Sequence, residues 1–303
     1  MNQPLNLATA SLLLVPPLMW AGNAIVGRLV APLVPPMTLN LMRWAIAFVL
    51  LLPLAAWVLR SGSALWPNWR RYTLLGLLSI GLYNALQYMA LKTSTPVNVT
   101  LVGSSLPVFM LLLGVLFFGQ RLGLRQVAGA VLSMSGVMLV LAHGDFTRLA
   151  DVRFVVGDLY MLVATATWAW YSWLLTRGTS DTSGLRLNWA AFLMAQMVPG
   201  LAWAGLFSAA EWTLGDPPAI AWGLPLTAAL LYIAIGPAIL AYRCWGLGVQ
   251  RVGPSVAGLF SNLTPLFAAL MSAAFLGEPP QAHHVVAFAL IVAGILVATR
   301  RAG

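Results

Sequence analysis

Gly103-Ser104-Ser105-Leu106-Pro107-Val108-Phe109 sits in the middle of one apolar segment, and Ser261-Asn262-Leu263-Thr264-Pro265-Leu266-Phe267 sits likewise in another. The two segments end alike, at Phe117-Phe118-Gly119-Gln120 and Phe275-Leu276-Gly277-Glu278. A proline inside a helix removes one backbone donor and leaves the carbonyl four residues earlier without its partner, here Gly103 and Ser261. Away from water such a carbonyl costs several kcal/mol unless protein or cavity water satisfies it. The pairs Gly103/Pro107 and Ser261/Pro265 are therefore expected to be hinges whose polar centres face the protein interior. Two such centres in related places point to a binding site.

Apolar runs of about 20 residues, long enough to cross a bilayer core of about 30 Å as helices, recur along the whole chain. They lie near 7–29, 36–59, 71–91, 97–118, 124–142, 156–176, 186–209, 222–244, 254–276 and 283–299. The composition agrees. With 303 residues, 60% of them hydrophobic and 8% charged, and a mean hydropathy of +0.87, the chain falls outside the range of soluble domains. It reads as an all-α membrane protein of ten transmembrane helices, with short connections and no soluble domain.

The formal net charge of +9 is read through its distribution. With the N-terminus in the cytoplasm, Arg60, Arg70, Arg71, Arg121, Arg125, Arg177, Arg186, Arg251, Arg300 and Arg301 face inside. Arg28, Lys92, Arg148 and Arg153 remain outside, and Arg43 and Arg243 fall within helices. This bias places both termini in the cytoplasm, across a bacterial-type inner membrane. The basic charge then reports topology, and no nucleic-acid partner is implied. The first helix lacks a basic n-region and a small-x-small cleavage site, so it is expected to be retained. The single cysteine, Cys244, excludes an internal disulfide and a Cys-rich metal site. His143, His283 and His284 fall at helix ends or loops, and no cofactor is expected.

The halves of the chain resemble each other. Leu14-Val15 and Trp20-Ala21 match Leu162-Val163 and Trp168-Ala169, and Leu39-Asn40 matches Leu187-Asn188. Later, Ile80-Gly81 matches Ile235-Gly236, Pro96 matches Pro254, Pro107 matches Pro265, Gly119 matches Gly277, and Gly136 matches Gly294. Such self-similarity marks a repeat. The first repeat is expected over 1–143 and the second over 156–303, joined by a polar loop at 144–155. Five helices in each repeat is an odd number, so the second repeat inserts upside down relative to the first. That inverted arrangement puts a transporter's site near the membrane midplane between the halves.

These features carry a resemblance. Gly157-Asp158-Leu159 leads into Trp168-Ala169, Leu276-Gly277-Glu278 is followed by Val292-Ala293-Gly294, and residues 16–23 read Pro-Pro-Leu-Met-Trp-Ala-Gly-Asn. Together with the two proline centres, the five-plus-five chain resembles the EamA-type members of the drug/metabolite transporter superfamily, nearest to the YddG-type amino-acid exporters. The resemblance covers essentially the whole chain. It implies a secondary transporter and, for substrate, an amino acid. One departure is Gln120, where the family has Glu, which puts a role for that acid in doubt in the first half.

Residues three or four apart share a helix face, and several faces are polar or aromatic. Trp20 and Asn23 lie on the first helix, Asn84, Gln87 and Tyr88 on the third, with Tyr83 beside them, and Ser104 on the fourth. Trp168, Tyr171 and Ser172 lie on the sixth, and Ser255, Gly258 and Asn262 on the ninth. Trp20, Asn23, Asn84, Gln87, Tyr88, Ser104, Trp168, Tyr171 and Asn262 are the candidate substrate-binding residues. The ordinary alternative is that such hydroxyls and amides bond helix to helix. Arg43 and Arg243 are candidates for gates or anchors. Either snorkels to the interface, or Arg43 pairs with a substrate carboxylate or holds an outer gate.

All seven acids, Asp145, Asp151, Asp158, Asp181, Glu211, Asp216 and Glu278, fall in loops or within a turn of a helix end. A proton relay needs an ionisable group in the membrane, and a cation site gains most from a carboxylate. The expected substrate is therefore neutral or zwitterionic. The expected task is export of amino acids, aromatic and apolar ones included, by uniport-like alternating access. Efflux of hydrophobic or quaternary-ammonium compounds and a non-transporting scaffold are the alternatives. No enzyme motif is present: no Gly-x-Ser-x-Gly elbow, phosphate-binding loop or His-Glu-x-x-His. Gly129, Ser133 and Gly136 in the fifth helix, and Ala289, Ala293 and Gly294 in the tenth, form small surfaces for a scaffold or a homodimer.

Overall fold

A computed structural model of the chain describes residues 4–94, 96–147, 153–177, 184–276 and 282–299. Asp151, Asp181, Gly277, Glu278 and part of the loop at 144–155 lie outside them. The described residues form helices and turns only. In chain order these are α1 (Leu7–Val30), α2 (Pro36–Ala55, prolonged by a 3-10 turn Ala56–Leu59) and α3, which runs Trp69–Gly76, Leu77–Tyr83 and Asn84–Thr93. Then follow α4 in two pieces (Pro96–Gly103 and Leu106–Phe118), α5 (Leu124–Leu141), α6 (Val156–Thr176) and α7 (Trp189–Leu214). Last come α8 (Leu224–Ile233, Ala234–Leu240, Ala241–Val252), α9 (Pro254–Ser261 and Leu263–Leu276) and α10 (Ala282–Thr299).

Among the described residues, eight helical segments are long and apolar enough to cross a membrane: Leu7–Gly27, Pro36–Leu59, Val99–Phe118, Leu124–Leu141, Trp189–Leu214, Leu224–Val252, Pro254–Met271 and Ala282–Thr299. The sequence leads one to expect ten. Of the other two, α6 is less apolar because it carries Asp158, Thr165, Trp168, Tyr171 and Ser172, while α3 carries Asn84, Gln87 and Tyr88 within its apolar run. Both helices bring polar and aromatic side chains inward, Asn84 and Tyr88 from α3 and Trp168, Tyr171 and Ser172 from α6.

The proline centres differ from expectation in an instructive way. Instead of kinking continuous helices, the prolines begin new ones. Pro107 is the second residue of Leu106–Phe118 and Pro265 the third of Leu263–Leu276, positions where a missing N–H has no helical partner to lose. The carbonyls at each break are partly satisfied by serines: Ser104 Oγ donates to Leu101 O at 2.6 Å, Ser105 Oγ to Val102 O at 2.5 Å and Ser261 Oγ to Gly258 O at 2.6 Å. A second pair of irregularities was not legible in the sequence. α3 widens to a π-helix over Leu77–Tyr83 and α8 over Ala234–Leu240, each around the matched Ile-Gly, Ile80-Gly81 and Ile235-Gly236.

α8 also runs on to Val252, beyond the expected end near 244, because Tyr242, Trp245, Val249 and Val252 continue its buried face. Gly253, at φ 87, turns the chain directly into α9. α2 begins with a proline and has no side-chain cap of its own. Glu211, in the last turn of α7, supplies one by accepting from Met37 N at 3.1 Å and Thr38 N at 2.9 Å, a carboxylate against the positive end of a helix.

The small faces of α5 and α10 meet each other. A Cβ at Gly129 would sit 2.5 Å from the Gly294 carbonyl oxygen, and one at Gly136 would sit 2.7 Å from that of Ala287. Backbones this close gain dispersion energy along their length, and the glycine surfaces considered for a dimer are consumed within the chain.

Candidate functional site

The π-helical turn of α3 releases carbonyls at mid-helix, and side chains from three helices take them up. Ser79 O accepts from Asn84 Nδ2 at 2.9 Å and from the Tyr242 hydroxyl at 3.0 Å. Ile80 O accepts from Asn40 Nδ2 at 3.0 Å. Unpaired carbonyls are expensive away from water, so the distortion of α3 explains why Asn40, Asn84 and Tyr242 are buried here. It also ties α3 of the first half to α8 of the second.

Arg43 lies on the same level and is 2% exposed. It donates to Asn84 Oδ1 at 2.9 Å and more loosely to the Tyr88 hydroxyl at 3.4 Å. Snorkelling is excluded by that burial. Asn84 thus uses its amide NH₂ to hold the π-turn and its oxygen to hold the guanidinium.

Beside this polar patch lies a cluster of rings centred on Trp168. Its ring centroid is 5.3 Å from Trp20, 4.9 Å from Tyr83, 5.0 Å from Tyr171, 5.2 Å from Tyr242 and 5.7 Å from Trp245. Trp20 also meets Trp245 at 5.4 Å, and Trp44 meets Tyr242 at 4.8 Å. Mostly tilted and edge-to-face contacts of this kind add about 0.5–1.5 kcal/mol per pair beyond burial. The Trp245 indole N–H is fixed by Ser172 Oγ at 3.0 Å, and Ser172 in turn donates to Trp168 O at 2.8 Å. Rings from α1, α3, α6 and α8 therefore close one plug near the middle of the bundle.

A narrow cleft reaches this plug from one end. Arg186, Trp189, Arg243 and Gln250 line its mouth and Tyr171 and Tyr242 its deep end, and its free volume is about 30 Å³. That is room for on the order of one or two waters, so passage of anything larger requires the rings to part. Arg243 is exposed and lies over the Trp189 ring at 4.5 Å. Neighbouring arginines cap helix ends that finish on this side. Arg186 donates to Leu175 O and Thr176 O, Arg71 to Arg177 O, and Arg177 to Phe117 O, cations where helix dipoles are negative.

The structure brings together Trp20, Trp168 and Tyr171 as rings, and Arg43, Asn84 and Tyr88 as a polar group. Gln87 is half-buried and faces the Tyr83 hydroxyl. Asn23 is half-buried, one turn along α1 from Trp20, with a buried Oδ1 that has no described partner. Two candidates turn elsewhere. Asn262 donates to Ser133 Oγ at 3.0 Å, tying α9 to α5, and the Ser104 hydroxyl closes on its own helix. Sequence reasoning passed over Asn40, Trp44, Tyr242 and Trp245 as site residues. The spacing Asn40, Arg43, Trp44 on one helix face was the available signal.

Of the acids among the described residues, Asp158 is buried in the first turn of α6, accepting from Val155 N and from the Ser94 hydroxyl, and Glu211 caps α2. Asp145 and Asp216 follow α5 and α7. None of these four stands beside the ring cluster.

The EamA-like transporter family matches the chain twice, over residues 7–142 and 155–300. An uncharacterized transporter, YyaM, of Bacillus subtilis (strain 168) is 28% identical over 237 residues, 78% of this chain and 75% of that protein. An aromatic amino acid exporter, YddG, of Ancylobacter novellus is 26% identical over 236 residues, 77% of this chain and 76% of that protein. A solved crystal structure superposes with a TM-score of 0.73 over 96% of each chain at 23% identity, a likeness in fold.

Proposed function

Since the chain belongs to the EamA-like transporter family, we propose that it exports amino acids, aromatic and apolar ones among them, across a bacterial inner membrane by alternating access. The observation that carries this reading is the ring plug around Trp168, built by both halves of the chain beside a buried polar patch. In it Trp20, Trp168, Tyr171 and Tyr242 meet the side chain of the substrate loosely enough to accept several, while Asn84, Gln87, Tyr88 and Asn23 line the polar side. In this reading ten helices form two inverted five-helix repeats, and the charge bias puts both termini in the cytoplasm. That orientation makes the arginine-rimmed cleft the cytoplasmic entrance. The π-turns of α3 and α8 and the breaks in α4 and α9, at Gly103 to Pro107 and Ser261 to Pro265, are the places where the helices bend to open one side at a time.

The four described acids stand away from the plug, which supports a uniport-like mechanism. The test is flux of an amino-acid panel in proteoliposomes with and without an imposed pH gradient. Tryptophan and phenylalanine should move down their own gradients at rates the pH gradient leaves unchanged; flux that requires the pH gradient overturns uniport. A cage of rings also suits organic cations. A buried guanidinium beside it opposes them, so the cation reading ranks second.

A further inference from the structure

Three buried polar atoms on one face of α2 have no protein partner among the described residues: Asn40 Oδ1, Arg43 Nε and Trp44 Nε1. Positions three and four apart share a helix face, and none of the three side chains is more than 2% exposed. Buried polar groups are ordinarily paired, so a cluster of exceptions needs a cause. The set comprises one acceptor and two donors, one of them charged. Its members are held in place by their other atoms: Asn40 Nδ2 by Ile80 O, and the Arg43 terminal nitrogens by Asn84 and Tyr88. A guanidinium stays charged in a protein, and a buried charge without a counter-ion is strongly unfavourable. This face is arranged for an anion, with an acceptor one turn away.

We infer that this face of α2 is a zwitterion subsite in which Arg43 Nε and Trp44 Nε1 donate to a substrate carboxylate and Asn40 Oδ1 accepts from its ammonium group. The inference rests on the amino-acid reading above and adds the groups that select for that class. Arginine suits the task because its charge-assisted hydrogen bonds to a carboxylate are short and directional. The same guanidinium repels the organic cations that the ring cluster would otherwise attract, so Arg43 sets the charge class of the cargo. The Trp44 ring lies 4.8 Å from that of Tyr242, which lines the deep end of the cleft. The subsite is therefore one ring beyond the closed cleft and becomes reachable when Tyr242 and Trp168 part.

The test uses the full-length protein in lipid nanodiscs with three probes: tryptophan, indole-3-propionate, which keeps the carboxylate alone, and tryptamine, which keeps the ammonium alone. Binding is read by competition against radiolabelled tryptophan and by the shift in melting temperature that each probe produces. Wild type should bind tryptophan and indole-3-propionate and bind tryptamine at least about tenfold more weakly, the effect of losing one charge-assisted pair. Arg43→Gln should lose about tenfold or more for both carboxylates and bind tryptamine more tightly than wild type does, the repulsion being gone, with Arg43→Lys between for the carboxylates. Tryptamine binding as tightly as tryptophan, or carboxylates binding Arg43→Gln as they bind wild type, overturns the subsite and leaves the three atoms to structural water. If Arg43→Gln fails to fold, the three probes on wild type decide alone. Arg43-dependent binding of indole-3-propionate without binding of tryptophan upholds the subsite and overturns the amino-acid reading. Tryptophan transport unaltered in Arg43→Gln does the reverse.

Discussion

The seam between α5 and α10 and the patch between α2, α3 and α8 bury helix faces by opposite means. At the seam the side chains are small, the backbones nearly touch at Gly129, Gly136 and Gly294, and the Ser133 hydroxyl accepts from Asn262, whose own Oδ1 has no described partner. At the patch the side chains are large, α3 is distorted, and Asn40, Arg43 and Trp44 each retain a polar atom without a described partner. Within a bilayer, close packing and satisfied hydrogen bonds are what hold helices together, whereas unsatisfied polar groups weaken them. The seam is thus held by close backbone packing with a single amide oxygen left over beside it, whereas the patch gathers three polar atoms without a described partner on one helix face, as sites that bind and release a ligand do.

The largest effect that would sharpen this contrast comes from Gly129→Leu. No rotamer avoids the Gly294 carbonyl, so destabilisation should reach the upper range for overpacking, about 3 kcal/mol, measured by unfolding in detergent. The protein that remains folded should still bind tryptophan with wild-type affinity. A variant that stays stable, or that folds but loses affinity, breaks the division between seam and site. The smallest effect is expected from Ser133→Ala, which removes the Asn262 hydrogen bond. Such bonds between membrane helices average about 0.6 kcal/mol, so a small fall in stability with unaltered transport is expected. A large loss of transport would return Asn262 to the site.

Much of this architecture could be read from residue order, and the parts that could not have physical reasons. The two proline centres marked the breaks in α4 and α9, because no other residue both lacks a donor and blocks the preceding turn. Their sense differs from the sequence reading, since sequence alone does not distinguish a proline that kinks a helix from one that starts the next, as Pro107 and Pro265 do. The matched Ile80-Gly81 and Ile235-Gly236 flagged related positions, yet a π-turn depends on tertiary partners, here Asn40, Asn84 and Tyr242, that lie far away in the chain. Trp20, Trp168 and Tyr171 were recognisable from the repeat. Trp245 and Tyr242 are hard to assign from sequence because Arg243 between them reads as a helix end, whereas α8 runs nine residues further, to Val252. Helices that are apolar all round give little sign of which face turns inward, which is why the sequence does not tell that the Asn262 amide nitrogen reaches across to Ser133 of α5.

The central claim is that the ring plug around Trp168 forms the path and the binding site of an amino-acid exporter. Its most direct test is tryptophan flux through proteoliposomes holding equal amounts of folded wild-type and Trp168→Ala protein. Removal of the ring that joins Trp20, Tyr83, Tyr171, Tyr242 and Trp245 should lower flux at limiting substrate by about tenfold or more, equivalent to about 1.4 kcal/mol, with the folded fraction held equal. Undiminished tryptophan flux in Trp168→Ala would contradict it.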